Sequence, residues 1–246
     1  MSILTILQAR MSSTRLPGKV LKPMHSVPMM GRQIERLRHS AHLGRLVVAT
    51  STDPGDDVIE TYCGTLSVPV HRGPLQNVLG RYVGALAAFG PAEHVVRVTA
   101  DCPLTDWTII DDVISLHLAS GADYTSNTVE RTYAKGLDVE IFRAALLPQI
   151  AASATDPYDR EHVTPHFYRN PDRFTIRQLT QATDQSEVRW TVDTPADYRL
   201  ARLVYDVLYD AKPAFTAVDV AALGWTLQAD PDEAVRLSRL PPPADA

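Results

Sequence analysis

One short stretch near the amino terminus gathers the groups that could grip a polyphosphate: Gln8-Ala9-Arg10-Met11-Ser12-Ser13-Thr14-Arg15-Leu16-Pro17-Gly18-Lys19. Oxyanion recognition needs positive charge, fork-shaped donors and backbone N–H groups free to turn inward. Arg10, Arg15 and Lys19 supply the charge, while Ser12, Ser13 and Gly18 let the backbone approach a ligand closely. Gln8 and Ala9 at the loop entrance, together with the distant Arg72, complete the set of candidate nucleotide contacts. The loop is not a Walker A motif, because the first glycine and the hydroxyl residue after the lysine are missing. Nor does it carry the glycines of a dinucleotide fingerprint.

Two aspartates offer the complementary chemistry. Asp101 follows the apolar run ending in Val98-Thr99-Ala100, and Asp193 follows Trp190-Thr191-Val192. Carboxylates at strand ends stand where α/β folds bind ligands, and a pair of them can share Mg²⁺ with phosphate oxygens. Each also has a plainer reading, Asp101 as a turn residue and Asp193 as a helix cap, although Thr194 already serves as that cap. His162 and His166 follow Glu161, but the order is not that of a zinc helix and Pro165 interrupts it. Arg160, Glu161 and His162 read as an acceptor-side or interface cluster. Cys102 has no base beside it in sequence and reads as a packed thiol. Tyr205 and Tyr209 sit at helical spacing and read as packing or partner-facing residues.

The elements that must position these groups alternate. Ile3–Gln8, Leu46–Ala49, Val68–Val70 and Val95–Val98 read as apolar strands, the third near an edge because of Pro69. Between and after them, helices are expected around Met30–Leu37, Asp56–Cys63, Asn77–Phe89 and Thr105–Ser120, the last with Thr105 as its cap. Such alternation predicts a largely parallel sheet covered by helices on both faces. After about Gly121 the rhythm loosens, with strands expected at Asp123–Ser126, Asp138–Phe142, Phe174–Leu179 and Val188–Val192. Leu200, Leu203, Val204, Val207 and Leu208 then mark a one-sided helix started by Thr194 and Pro195. The expected organisation is a single domain over 1–240, with an acceptor or dimerisation insertion around 121–180 and a disordered tail at 241–246 containing Pro241-Pro242-Pro243.

Composition limits the alternatives. The chain has 246 residues, 45% hydrophobic and 22% charged, a globular balance. Its net charge of −5 argues against nucleic-acid binding, which favours a basic face. That charge is uneven: residues 1–34 hold no acid and carry Arg10, Arg15, Lys19, Lys22 and Arg32, leaving −10 for the other 212 residues. A cationic segment in an acidic protein suggests a specific anionic partner. Only Cys63 and Cys102 occur, which fits a reducing compartment. No apolar run approaches the ~18 residues of a membrane span, and the opening Ile3–Leu7 run lacks the basic lead-in of a secretory signal. A cytoplasmic protein with no membrane contact is expected.

Taken together, these segments resemble the cytidylyltransferase superfamily of sugar-activating enzymes. The Gln8–Lys19 loop is similar to the nucleotide loop of acylneuraminate and ketodeoxyoctonate cytidylyltransferases, and the whole chain most resembles the branch of spore coat polysaccharide biosynthesis protein F. Ile6–Lys19, Arg97-Val98-Thr99-Ala100-Asp101-Cys102-Pro103-Leu104, Arg160–Thr164 and Trp190–Thr194 carry the likeness, which runs from Ile6 to Asp197. It implies an α/β, glycosyltransferase-A-like mixed sheet, CTP as co-substrate, Mg²⁺ as metal and pyrophosphate as product. It further implies Arg10, Arg15 and Lys19 on the triphosphate and Asp101 and Asp193 on the metal. A homodimer is expected as well. Asn77 departs from the branch, which usually has Asp there.

The expected reaction is CTP-dependent nucleotidyl transfer to a sugar acid or a phosphorylated acceptor for surface glycan synthesis. Two other functions compete with it. A glycosyltransferase on the same fold would need a D-x-D metal motif, and none stands at a strand end here. A non-catalytic relative would have no need of both strand-end aspartates and all three loop cations.

Overall fold

The computed structural model describes residues 2–224; the tail read as disordered lies outside them. In chain order the elements are β1 (Ile3–Gln8), β2 (Pro23–Met24), β3 (Val27–Pro28), α1 (Met29–Leu37), β4 (Arg45–Ser51), α2 (Asp57–Thr65), β5 (Val70–Gly73), α3 (Val78–Phe89), β6 (His94–Thr99) and α4 (Trp107–Ser120). The second half adds β7 (Tyr124–Ser126), β8 (Glu140–Arg143), α5 (Leu147–Ser153), α6 (Pro157–His162), α7 (Pro165–Tyr168), β9 (Ile176–Gln178), α8 (Pro195–Leu208) and α9 (Ala217–Ala222). Seven strands form one sheet in the order β5-β4-β1-β6-β8-β7-β9. β5, β4, β1 and β6 run parallel, β8 runs antiparallel to both its neighbours, and β9 pairs parallel with β7.

Near-continuous apolar strands require cover on both faces. Leu4 and Ile6 of β1 pack with Val78, Leu79 and Tyr82 of α3, with Phe142 of β8 and with Phe167 of α7. Leu7 points to the other face, where Met30 and Ile34 of α1, Ile110 and Ile114 of α4, and Val204 and Tyr205 of α8 cover it. The stretch 121–180 therefore supplies three strands and three helices to the same sheet and core.

The structure moves several expected boundaries. Strand β5 begins at Val70 rather than Val68, yet it does form the sheet edge. Helix α4 is capped by Asp106, whose carboxylate accepts Thr108 N at 2.9 Å, and Thr105 is instead buried before it. Val188–Val192 is not a strand: it makes one isolated bridge, Lys135 to Arg189. Thr194 does cap α8, through a capping box completed by Asp197. Asn77 caps α3 by accepting Gly80 N at 2.9 Å, so the residue that departs from the family pattern has a helix-starting role.

Candidate active site

The Gln8–Lys19 loop leaves β1 at the carboxyl edge of the parallel strands, where the sheet exposes its ligand-binding side. Leu16 and Val20 are buried and anchor it, and Ser13 N and Gly18 N both donate to Met11 O at 2.9 Å. Gly18 adopts φ +68°, a left-handed conformation that lets the chain enter the single helical turn Lys19–Leu21. Met11 N donates to Asp56 Oδ1 at 2.7 Å. Asp56 is fully buried and also accepts from Thr50 Oγ1, Ser51 N and Ser51 Oγ. Burial pushes this carboxyl up, but the hydrogen bonds from Ser51, Met11 and Thr50 outweigh it and hold it below the ordinary carboxylate range. Asp56, expected as the start of a helix, thus also shapes the loop, through partners as far as 45 positions away.

Lys19 is the centre of the site. Its ammonium donates to Asp101 Oδ2 at 3.1 Å, Asp193 Oδ1 at 3.0 Å and Val192 O at 2.8 Å, which uses all three of its protons. Asp101 arrives just past β6. Asp193 arrives on the irregular 188–192 segment, held where Trp190 N donates to Lys135 O at 2.6 Å and Val192 N donates to Asp101 O at 2.8 Å. Gly136 makes that approach possible. Its φ is +110°, and a Cβ there would lie 2.7 Å from Thr191 N and from the carbonyl carbon of Trp190.

Burial alone would raise the Asp101 carboxyl; the Lys19 ammonium and hydrogen bonds from Thr99, Lys19 and Cys102 bring it below its ordinary value. Asp193 Oδ2 faces Arg15 Nη2 at 3.0 Å and is also bound by Arg189. Arg10 Nη2 lies 3.8 Å from Glu161 Oε1. The three expected loop cations and both expected aspartates thus line one cleft of about 380 Å³, joined by Gln8, Ala9, Ser13, Arg81, Arg97 and His162 among others.

Not every candidate reaches this cleft. Ser12 is not among its lining residues. Arg72 does not line the cleft; Ser51 O at 2.9 Å and Asp53 O at 3.0 Å by the end of β4, with Asp57 at 2.7 Å and Glu60 at 3.0 Å on α2, occupy its guanidinium. Two of the five cations in the acid-free segment have structural tasks. Arg32 is buried against Met24 O, His25 O, Glu35 and the Tyr209 ring, and Lys22 lies over the Tyr198 ring. Part of the charge asymmetry is therefore architecture and not ligand binding.

A second cavity of about 530 Å³ opens from the first and shares Arg97, Thr99, Asp101 and His162 with it. Its hydroxyl groups come from Thr128, Thr164, Thr191, Tyr158 and Tyr168, and its charges pair internally, Arg131 with Asp138 and Arg97 with Glu140. Glu140 also accepts from Tyr124 OH and Thr164 Oγ1, each at 2.7 Å. Arg160 instead donates to Ala154 O at 3.0 Å. Cys102 is buried, and burial followed by the Asp101 charge pushes its thiol well above the usual range, as a packed residue and not a nucleophile. In the sequence Arg97 stands only as part of the motif that contains Asp101, and Arg81 carries no local mark of a cleft residue.

Among the described residues no group of three or more His, Cys, Asp or Glu side chains could hold a metal ion. Asp101 and Asp193 nevertheless already converge on one cation, the Lys19 ammonium. Two carboxylates suit Mg²⁺, which takes its other ligands from water and phosphate.

Residues 4–207 match the profile of the cytidylyltransferases. The chain belongs to that family. This cytidylyltransferase is 33% identical to spore coat polysaccharide biosynthesis protein SpsF of Bacillus subtilis over 240 residues, 94% of this chain and 96% of that one. It is similar to the solved structure of a cytidylyltransferase from Leptospira borgpetersenii, with a TM-score of 0.87, 30% identity and 98% of each chain covered. The fold, though at 15% identity not the chemistry, is shared with the structure of CMP:2-keto-3-deoxy-manno-octonic acid synthetase complexed with CTP. That match has a TM-score of 0.62 and covers 84% of this chain and 99% of the other. The cytidylyltransferase is thus an α/β protein of the nucleotide-diphospho-sugar transferase fold.

Proposed function

We propose that the first cleft binds CTP and that an acceptor oxygen held in the second cavity attacks its α-phosphorus in line, releasing pyrophosphate. The observation that carries this reading is the meeting of Asp101 and Asp193 on one cation at the junction of the two cavities, beside Arg10 and Arg15. Transfer of this kind is positioning and electrostatics, with no covalent enzyme intermediate. Arg10 and Arg15 balance charge that builds on the departing pyrophosphate. Lys19 joins them once a phosphate oxygen replaces one of its present acceptors. Asp101 and Asp193 would hold Mg²⁺, which supplies charge neutralisation at the α-phosphate.

The hydroxyl-rich second cavity, with Arg97 and His162 at its mouth, suits a polyhydroxylated acceptor bearing an anionic group: a sugar acid or a phosphorylated sugar. With the likeness to a spore coat polysaccharide biosynthesis protein, this supports a place in surface-glycan synthesis. We place the enzyme in the cytoplasm as a homodimer, the latter open to sizing chromatography. Among the described residues no helix is long and apolar enough to cross a membrane.

The test is pyrophosphate release across four nucleoside triphosphates and a panel of nonulosonic acids, sugar phosphates and phosphonates, with and without Mg²⁺. Release should require CTP, an acceptor and the divalent ion. Asp101→Asn should lower the rate at least ~100-fold, the scale of losing one transition-state charge contact, with an unchanged circular dichroism spectrum. Full turnover by that variant would remove the proposed role of the aspartate pair.

A further inference from the structure

Arg81 stands apart from the other buried arginines. It lies in the first turns of α3, is 2% exposed, and lines the first cleft beside Gln8, Arg10 and Val78. Arg32 and Arg36 each donate to two backbone carbonyls. The Arg81 backbone N–H donates to Asn77 O at 3.2 Å, but its guanidinium has no hydrogen bond or ion pair with any described residue, and its Nε and Nη1 are buried without partners. The nearby Asp56 is spent on Met11, Thr50 and Ser51. Burial, chiefly, and the neighbouring Arg10 both press against its charge. Such an arrangement is costly in an empty protein and calls for an acceptor from outside. The fold makes deliberate room for it: a Cβ at Gly73 would come within 2.8 Å of Arg81 Cγ.

Its place along the sheet says which part of the nucleotide it meets. Gly73 ends β5, whereas Asp101 follows β6, and the order β5-β4-β1-β6 separates them by three strand spacings, about 14 Å. The acceptor cavity opens beyond Asp101, on the side away from β5. The reacting phosphorus therefore lies near Asp101, the loop cations attend the phosphates, and the nucleoside reaches back toward α3.

Building on the CTP reading above, we propose that Arg81 reads the edge of the pyrimidine base and selects cytosine over uracil. A guanidinium only donates. Cytosine offers it two adjacent acceptors, O2 and N3. Uracil carries a hydrogen on N3, which sets donor against donor and leaves both buried groups unpaired.

The experiment compares wild type, Arg81→Met and Arg81→Lys in steady-state kinetics with CTP and UTP, in calorimetric binding of CMP and UMP without metal or acceptor, and in thermal melting. Arg81→Met should raise KM for CTP roughly 10- to 100-fold, the penalty of one buried group left unpaired, with kcat at saturating CTP changed only a few-fold. Its preference for CTP over UTP and for CMP over UMP should collapse, and its melting temperature should hold or rise, because an unpaired buried charge has gone. Arg81→Lys should fold and keep the charge without restoring discrimination, since a point charge lacks the planar fork. An equal loss of affinity for CTP and UTP in Arg81→Met, restored by lysine with discrimination unchanged throughout, would instead assign Arg81 to a phosphate. An Arg81→Met variant with wild-type discrimination overturns the proposal while leaving the CTP reading intact. A wild type that binds neither CMP nor CTP overturns both.

Discussion

Arg72 and Arg81 lie nine positions apart and show why residue type alone does not assign a contact. Both are arginines near the end of β5, but Arg72 is saturated by two carbonyls and two carboxylates, whereas Arg81 lines the cleft with Nε and Nη1 unpaired by any described residue. Arg72→Met should leave KM for CTP within about twofold and cost less than ~1 kcal/mol of stability, the usual worth of such partly exposed pairs; steady-state kinetics and urea denaturation measure the two. The loop cations and Asp101 were legible in the sequence because they stand directly after β1 and β6, where parallel sheets leave their ligand edge; Asp193 was marked by an alternating run that forms no strand in the fold. Arg81 was not, since within Val78-Leu79-Gly80-Arg81-Tyr82 it has only the helical spacing of a surface residue. Its burial arises from tertiary contacts with β5 that no local pattern encodes. Lys19 was legible as a cation but not as the bridge between two acids, because its partners are 82 and 174 positions away.

At the scale of elements, β1, β4 and β6 announced themselves through uninterrupted apolar runs, which only a doubly covered strand tolerates. The 188–192 run deceived because its alternation is that of a strand, while its backbone is fixed mainly by Lys135, Asp101 and a close pass over Gly136. That pass makes Gly136 the residue on which the position of Asp193 rests. Gly136→Ala should destabilise by more than about 1 kcal/mol, since alanine resists a positive φ and its methyl would meet backbone. Thermal melting should register the loss, and kcat should fall further than the stability change explains as Asp193 shifts. Thr194→Ala, which removes only the α8 cap, should cost about 1 kcal/mol with a smaller effect on kcat.

Over the whole molecule, a buried pair of histidines sets the response to mild acid. On the α4 face, His117 is buried, with Nε2 3.0 Å from His94 Nδ1 and Nδ1 2.9 Å from Thr125 Oγ1. Burial first, then the charges of His94 and Arg143, lower His117 to about 4, and burial lowers His94 as well. Both rings are neutral in the fold, whereas the unfolded chain takes up protons from near pH 6.5 downward. Their contribution to stability is therefore complete above pH 6.5 and is lost progressively as pH falls toward 4, by up to about 3 kcal/mol for His117. Below that, Asp56 and Asp101, whose folded carboxyls titrate lower than free ones, add to the loss. Denaturant midpoints between pH 7.5 and 4 should trace this decline, and His117→Asn should flatten its upper part.

The ammonium of Lys19 ties three remote stretches of chain together at one point: the loop after β1, the turn after β6 and the approach to α8. A protein that carries its own counter-ion needs no borrowed one to keep its acids side by side. Stripping divalent ions with a chelator should therefore silence turnover while leaving the melting curve where it was, so that folding and catalysis answer to different cations.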